Sequence, residues 1–201
     1  MNQLSPNEVA EKLREVSKDL RLDAERAIAL RSFFNIGQES ASIAAIGAFH
    51  GGHAAVLIRG AVLESIVLAV SRMCDPGRSD KHTIAKAREL AERPGVIGVF
   101  NAQISQLAFT SFVNCAAGLE SLDAGKKLRA MRNYVVAHKI PLKFQPSERP
   151  LFEDLWAVFD VAVEAVGHLG IATQTVSVDM ANVAEVWDAR NRFYWNKLIL
   201  V

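Results

Sequence analysis

The sequence predicts an all-α fold, an antiparallel bundle of four or more helices. Three observations predict it. Apolar residues recur at three- and four-residue spacing, as in Leu13, Val16, Leu20, Ala24 and Ile28, and again in Leu151, Leu155, Val158, Ala162 and Val166. Turn signals fall at a few places, Asp75-Pro76-Gly77, Pro94-Gly95 and Pro141, where they read as helix stops. The one strand-like run, 173–178, is too short and isolated to found a sheet.

The elements follow in order. Ser5-Pro6-Asn7-Glu8 is a capping box with proline at the first helical position, and it opens a helix expected to end near Gly37. A second long helix spans about 53–74, carries Leu57, Ala61, Ile66 and Val70, and stops at Asp75-Pro76-Gly77. A short helix over 83–93 breaks at Pro94-Gly95. Residues 96–112 read as helical but poorly punctuated, and another helix covers about 118–139, ended by Pro141. Ser147-Glu148-Arg149-Pro150 opens the amphipathic helix through Val166, and a final helix covers about 179–197. The 201 residues fit a single domain (1–201), with 172–201 as a C-terminal helical extension.

Composition narrows the function classes. Half the residues are hydrophobic and mean hydropathy is +0.13, enough for a core without metal or disulfide staples. The surplus apolar surface suggests a homodimer. Net charge is +1, so no global basic balance points to nucleic acid. Cys74 and Cys115 are isolated, which suits a reducing cytoplasm. The N-terminus is charged and helical in pattern, unlike a signal peptide. The least charged window, 40–58, is rich in small residues and reads as buried helix and turn, so no membrane span is expected. No glycine-rich phosphate loop, Gly-x-Ser-x-Gly elbow or Cys–His nucleophile pair is present, which leaves triphosphate hydrolysis, acyl transfer and dinucleotide redox chemistry without support.

The chemistry-bearing stretch is 129–141, Arg-Ala-Met-Arg-Asn-Tyr-Val-Val-Ala-His-Lys-Ile-Pro. Leu128, Met131, Val135 and His138 share one helix face, with Arg132 on the neighbouring stripe. Arg132 and His138 are separated by a rise of roughly 9 Å, which an arginine can lean across. Arg132 offers a permanently charged fork of donors for a phosphate. His138, in the last turn before Pro141, is placed to move a proton near neutral pH. Asn133 can orient either the ligand or the histidine. Around them, Lys126, Lys127, Arg129, Arg132, Lys139 and Lys143 form a cationic strip with no acidic residue between 126 and 143. The plainer alternative is that His138 caps its helix and Arg132 pairs with a carboxylate.

This segment resembles the signature of the HEPN superfamily of helical-bundle proteins, in which arginine, usually followed by a polar residue, precedes histidine by four to six residues. Here five residues separate Arg132 from His138, and Asn133 takes the polar place. Ser71-Arg72-Met73-Cys74-Asp75, ending the second helix, resembles the Arg-x-x-Asp of the abortive-infection U-type subfamily. The resemblance covers about 10–170. It implies a metal-independent endoribonuclease, a toxin or phage-defence effector working as a dimer with the two motifs facing each other in a cleft. Arg132, Asn133 and His138 would be its catalytic group and the surrounding cations would bind RNA; Arg72 and Asp75 read first as structural, with Asp75 turning the chain at Pro76, and the resemblance adds a supporting role near the cleft. An antitoxin or regulatory protein is a further implied partner. In some toxin members a tyrosine two residues after the histidine is the target of that regulation. Ile140 stands there in this chain, so that regulation is not expected. Many members do not cleave, so the alternative is a non-catalytic helical dimer that binds RNA or a protein.

Other motifs carry less. His50-Gly51-Gly52-His53 suggests a metal pair but has no third ligand nearby, and neither metal nor cofactor is expected. The run 190–197 mixes cations with aromatics. It could stack bases, but it reads better as a docked terminal helix, with Trp187 and Trp195 on one packed face.

Overall fold

The computed structural model describes residues 4–39, 41–44, 52–75, 82–100, 102–136, 151–176 and 179–199. Every regular element among them is helical: α1 (Pro6–Ile36), α2 (Gly52–Cys74), α3 (Ile84–Ala91), α4 (Val96–Val99), α5 (Gln103–Ser121), α6 (Asp123–Val136), α7 (Phe152–Ala172) and α8 (Met180–Ile199). The chain is an all-α helical bundle, as the periodicity predicted.

Local sequence explains several of the helix starts. Ser5 and Glu8 cap α1 reciprocally: the Ser5 N–H donates to Glu8 Oε2 at 2.7 Å, and the Glu8 N–H donates to Ser5 Oγ at 3.4 Å. Thr83 Oγ1 accepts from the Lys86 N–H at 3.1 Å and starts α3. Gly95, at φ +80°, turns the chain between α3 and α4 in a conformation glycine takes without penalty. Asp154 Oδ2 accepts from the Leu151 N–H at 2.8 Å at the start of α7.

Two boundaries differ from the sequence reading. The stretch 96–112 is not one helix, because Phe100 leaves α4 in a non-helical conformation to bury its ring against Phe109. The next helix does not begin near Gly118, which lies inside α5. The corner comes at Leu122, which is extended. The run expected to be strand-like begins instead as a turn at Thr173 and Gln174, and 177–178 lie outside the described residues.

Helix α7 is the centre of the bundle. It makes its most extensive contact with α5 and also touches α1, α2, α3, α6 and α8. Leu155, Val158, Phe159, Ala162, Ala165, Val166 and Leu169 are all buried along it. Helix α7 is long and apolar enough by composition to cross a bilayer, yet half of its most apolar window is buried inside the bundle. From the other elements come Leu13 and Leu20 of α1, Ile66, Val70 and Met73 of α2, and Phe109 and Phe112 of α5. Each fully buried side chain of this kind contributes about 1.5–3 kcal/mol relative to its exposed state.

The last helix docks along α1. Trp195 is buried and donates from Nε1 to Phe33 O at 3.3 Å, while Asn191 Nδ2 donates to Ala29 O and Ser32 Oγ, each at 3.0 Å. Trp187 packs half-buried against the core. This matches the docked reading of 190–197 for Trp195, although Phe193 and Tyr194 on the same helix are exposed.

Candidate functional site

Helices α2 and α6 pack together, and that contact positions the candidate site. The last turn of α2 delivers Ser71-Arg72-Met73-Cys74 and then Asp75. Met73 is fully buried, so it fixes the register of this turn against the core. Leu128, buried, does the same for α6 and sets the rotation that carries Arg132, one turn further on.

The consequence is a contact between residues 57 apart in sequence. Arg132 Nη1 donates to Asp75 Oδ2 at 2.6 Å. Both side chains are mostly withdrawn from solvent, with 28% of Arg132 and 16% of Asp75 exposed. The plainer alternative for Arg132, pairing with a carboxylate, therefore holds, and that carboxylate is the one in the Arg-x-x-Asp segment. Arg72 turns elsewhere. It donates from Nη2 to Asp23 of α1 at 2.7 Å. Burial raises the Asp23 pKa above the ordinary aspartate value, outweighing the opposite pull of Arg72 and Arg26.

Beside Asp75 lies a cavity of about 60 Å³ between α2, α3, α5, α6 and α7. Its apolar wall includes Ile84, Leu119 and Val158, and its polar edge includes Ser71, Asp75, Glu120 and Arg129. Among the described residues, Ser71 Oγ is a buried side-chain atom with no hydrogen-bond partner. Leaving such a hydroxyl unsatisfied costs about 1–3 kcal/mol, so a water or a ligand's polar group in the cavity would pair with it. Cys74 lines the same cavity, but burial pushes its thiol up to about 12, which makes it inert as a nucleophile.

The cationic strip is less free in space than in sequence. Lys127 Nζ donates to Asp154 of α7 at 3.0 Å, with both groups largely shielded. Lys126 lies 3.4 Å from Asp123, and both are exposed, so that pair is weak. Arg129 is exposed at the cavity edge. Asp154, which the sequence reading missed, sits only four residues past the end of the undescribed segment and comes to α6 through the packing of α6 on α7. His138, Lys139 and Lys143 lie outside the described residues, as do the side chain of Asn133, His50 and the side chain of His53.

Comparison with known families decides the kinship. The HEPN AbiU2 family model, described as AbiU2, matches residues 7–197. The chain belongs to the AbiU2 family of HEPN proteins. No curated protein and no solved structure gives a significant match to it. The matched span runs from the first turn of α1 into the last turns of α8, so the family's extent includes the docked C-terminal helix.

Proposed function

We propose that this AbiU2-family chain is a metal-independent endoribonuclease of the toxin or phage-defence kind. The contact between Asp75 and Arg132 carries the reading. The two segments that resemble the family signature meet through their charged residues, at the rim of a partly polar cavity.

The proposed reaction is attack of a ribose 2′-hydroxyl on the adjacent phosphorus. It forms a 2′,3′-cyclic phosphate and expels the 5′-oxygen of the next nucleotide. His138 takes the proton from the 2′-hydroxyl or returns one to the leaving oxygen. Arg132 stabilises the charge gathered on the phosphoryl oxygens in the transition state. Asn133 orients the phosphate or the imidazole. Asp75 holds one guanidinium nitrogen, so Arg132 has less orientational freedom to lose when it engages phosphate. The same carboxylate offsets part of the cation, so a phosphate shares Arg132 with Asp75 rather than meeting an unopposed charge.

Arg129 and Lys126 at the surface, with Lys139 and Lys143, would track the RNA backbone. Lys127, tied to Asp154, would contribute less. Two such chains in a homodimer would face their motifs across a cleft, and an antitoxin or regulatory protein would be a further partner. The second reading is a non-catalytic dimer that binds RNA or a protein. It needs only the helical packing and exposed cations such as Lys126 and Arg129, with no transition-state role for Arg132.

A substrate test separates the two. A cleavable RNA oligonucleotide and the same strand with one 2′-deoxy residue at the cut position are incubated with the protein. Cleavage of the first and resistance of the second are expected, with Arg132→Ala slowing the reaction on the order of a hundredfold or more. Equal cutting of both strands would sink the proposed mechanism.

A further inference from the structure

Three metal-ligating side chains meet where α5 packs on α7. Glu164 and His168 are four residues apart on α7, so one helix face presents both. His168 Nε2 lies 3.6 Å from Glu164 Oε1. Cys115 comes to them from α5, and the three donor atoms all lie within 4.8 Å of one another. None of the three lines the cavity beside Asp75.

We propose that Cys115, Glu164 and His168 form a three-ligand site for a transition-metal dication of the Zn²⁺ class, clamping α5 to α7. The donor set argues for this class. A thiolate, an imidazole and a carboxylate suit a borderline-soft ion. Ca²⁺ and Mg²⁺ prefer all-oxygen shells.

The geometry needs little change. With metal–sulfur bonds of about 2.3 Å and metal–nitrogen or –oxygen bonds of about 2.0–2.2 Å, tetrahedral donors stand roughly 3.3–3.7 Å apart. The His168–Glu164 separation already falls within that range. The other separations are at most 4.8 Å, and rotation of the 62% exposed Glu164 and the 31% exposed His168 can close them. Helices α5 and α7 form the most extensive helix pair of the fold, so the backbones under the ligands are fixed by packing. Three protein ligands leave a fourth position for water or another ligand.

The electrostatics agree. Burial, and then the charge of Glu164, raise the Cys115 thiol above its ordinary value. A dication between them reverses that balance, because it favours the thiolate and neutralises the carboxylate. Binding therefore releases one proton from Cys115 to solvent. None of the three ligands is among the residues proposed for the RNA chemistry, and that reaction is written without a metal.

The test uses the full chain, stripped with EDTA and dialysed, with Co²⁺ as probe. The proposal expects one Co²⁺ per chain, a thiolate-to-metal absorption in the near ultraviolet, displacement by Zn²⁺ and a melting temperature raised by Zn²⁺. Cys115→Ser should remove the absorption although Cys74 remains. His168→Gln, at a partly exposed position, should weaken binding at least about tenfold. Far-ultraviolet circular dichroism without metal confirms that both variants fold. No absorption at one equivalent in the wild type, or binding unchanged in either folded variant, overturns the proposal. The readout does not involve RNA cleavage, so the two proposals stand or fall separately.

Discussion

The Arg132–Asp75 pair lends itself to a double-mutant cycle with Asp75→Ala, Arg132→Ala and the double variant. The two side chains are 28% and 16% exposed, so the pair is neither solvated nor sealed. Exposed pairs contribute about 0.2–1 kcal/mol, and breaking a buried pair costs about 3–5 kcal/mol. A partly shielded pair with a 2.6 Å hydrogen bond belongs between these limits. The coupling energy should be about 1–2 kcal/mol. In a chain of this length, 1 kcal/mol moves the melting temperature by about 2–4 °C. The assay is urea unfolding followed by circular dichroism, which gives the stability of all four proteins. Because the pair is withdrawn from water, most of the coupling should survive salt that would screen a surface pair. The cycle isolates the mutual term from whatever else each side chain touches. Coupling below about 0.3 kcal/mol, the scatter of independent sites, would refute the claim that the two segments hold each other in place.

Two further outcomes follow from the fold. Burial alone would raise the Asp154 pKa, but the Leu151 N–H and Lys127 outweigh it and hold the carboxyl below the ordinary aspartate value. A carboxyl lowered on folding stabilises the protein fully above its unfolded value of about 3.9. That contribution is lost as pH falls through the folded value. Asp154→Asn should therefore flatten the acid limb of a stability profile below about pH 4, and thermal melts across that range check it; parallel limbs would contradict it. In Gly37→Ala, the added Cβ would stand 2.9 Å from Trp195 Cζ2. Trp195 is buried and cannot yield freely, so the substitution should cost about 1–3 kcal/mol and redden tryptophan emission as α8 loosens from α1. Unchanged emission and unchanged unfolding in urea would speak against the docking described.

Legibility in the sequence divides between local and distant effects. The start of α1 was readable because Ser5, Pro6 and Glu8 are within one turn of one another, and the break at Gly95 because one residue carries the left-handed conformation. The α5–α6 corner was not readable. Gly118 looks like a boundary, but it continues α5, and the chain turns at Leu122, held by the Leu122 N–H to Gly118 O and the Gly125 N–H to Leu122 O. The break at Phe100 depends on where its ring is buried, which is a tertiary matter.

The site divides in the same way. The Arg132 segment was legible as a spacing, and Arg72 and Asp75 as a second segment earlier in the chain. That Asp75 rather than Arg72 would reach Arg132 depends on how α2 is rotated against α6, which local spacing does not set. The strip from 126 to 143 holds no acidic residue in sequence, yet Asp154 and Asp75 reach it across the fold. The sequence reading looked for metal ligands at His50 and His53. It passed over Glu164 and His168, whose four-residue spacing was visible, because Cys115 lies 49 residues before Glu164 and only the packing of α5 on α7 brings it near.

The most direct measurement incubates purified protein and His138→Ala with total RNA in EDTA and determines the ends of any fragments. The account predicts wild-type fragments ending in 2′,3′-cyclic phosphate and none from a folded His138→Ala variant. Absence of cleavage by the wild type, or equal cleavage by both proteins, would contradict it.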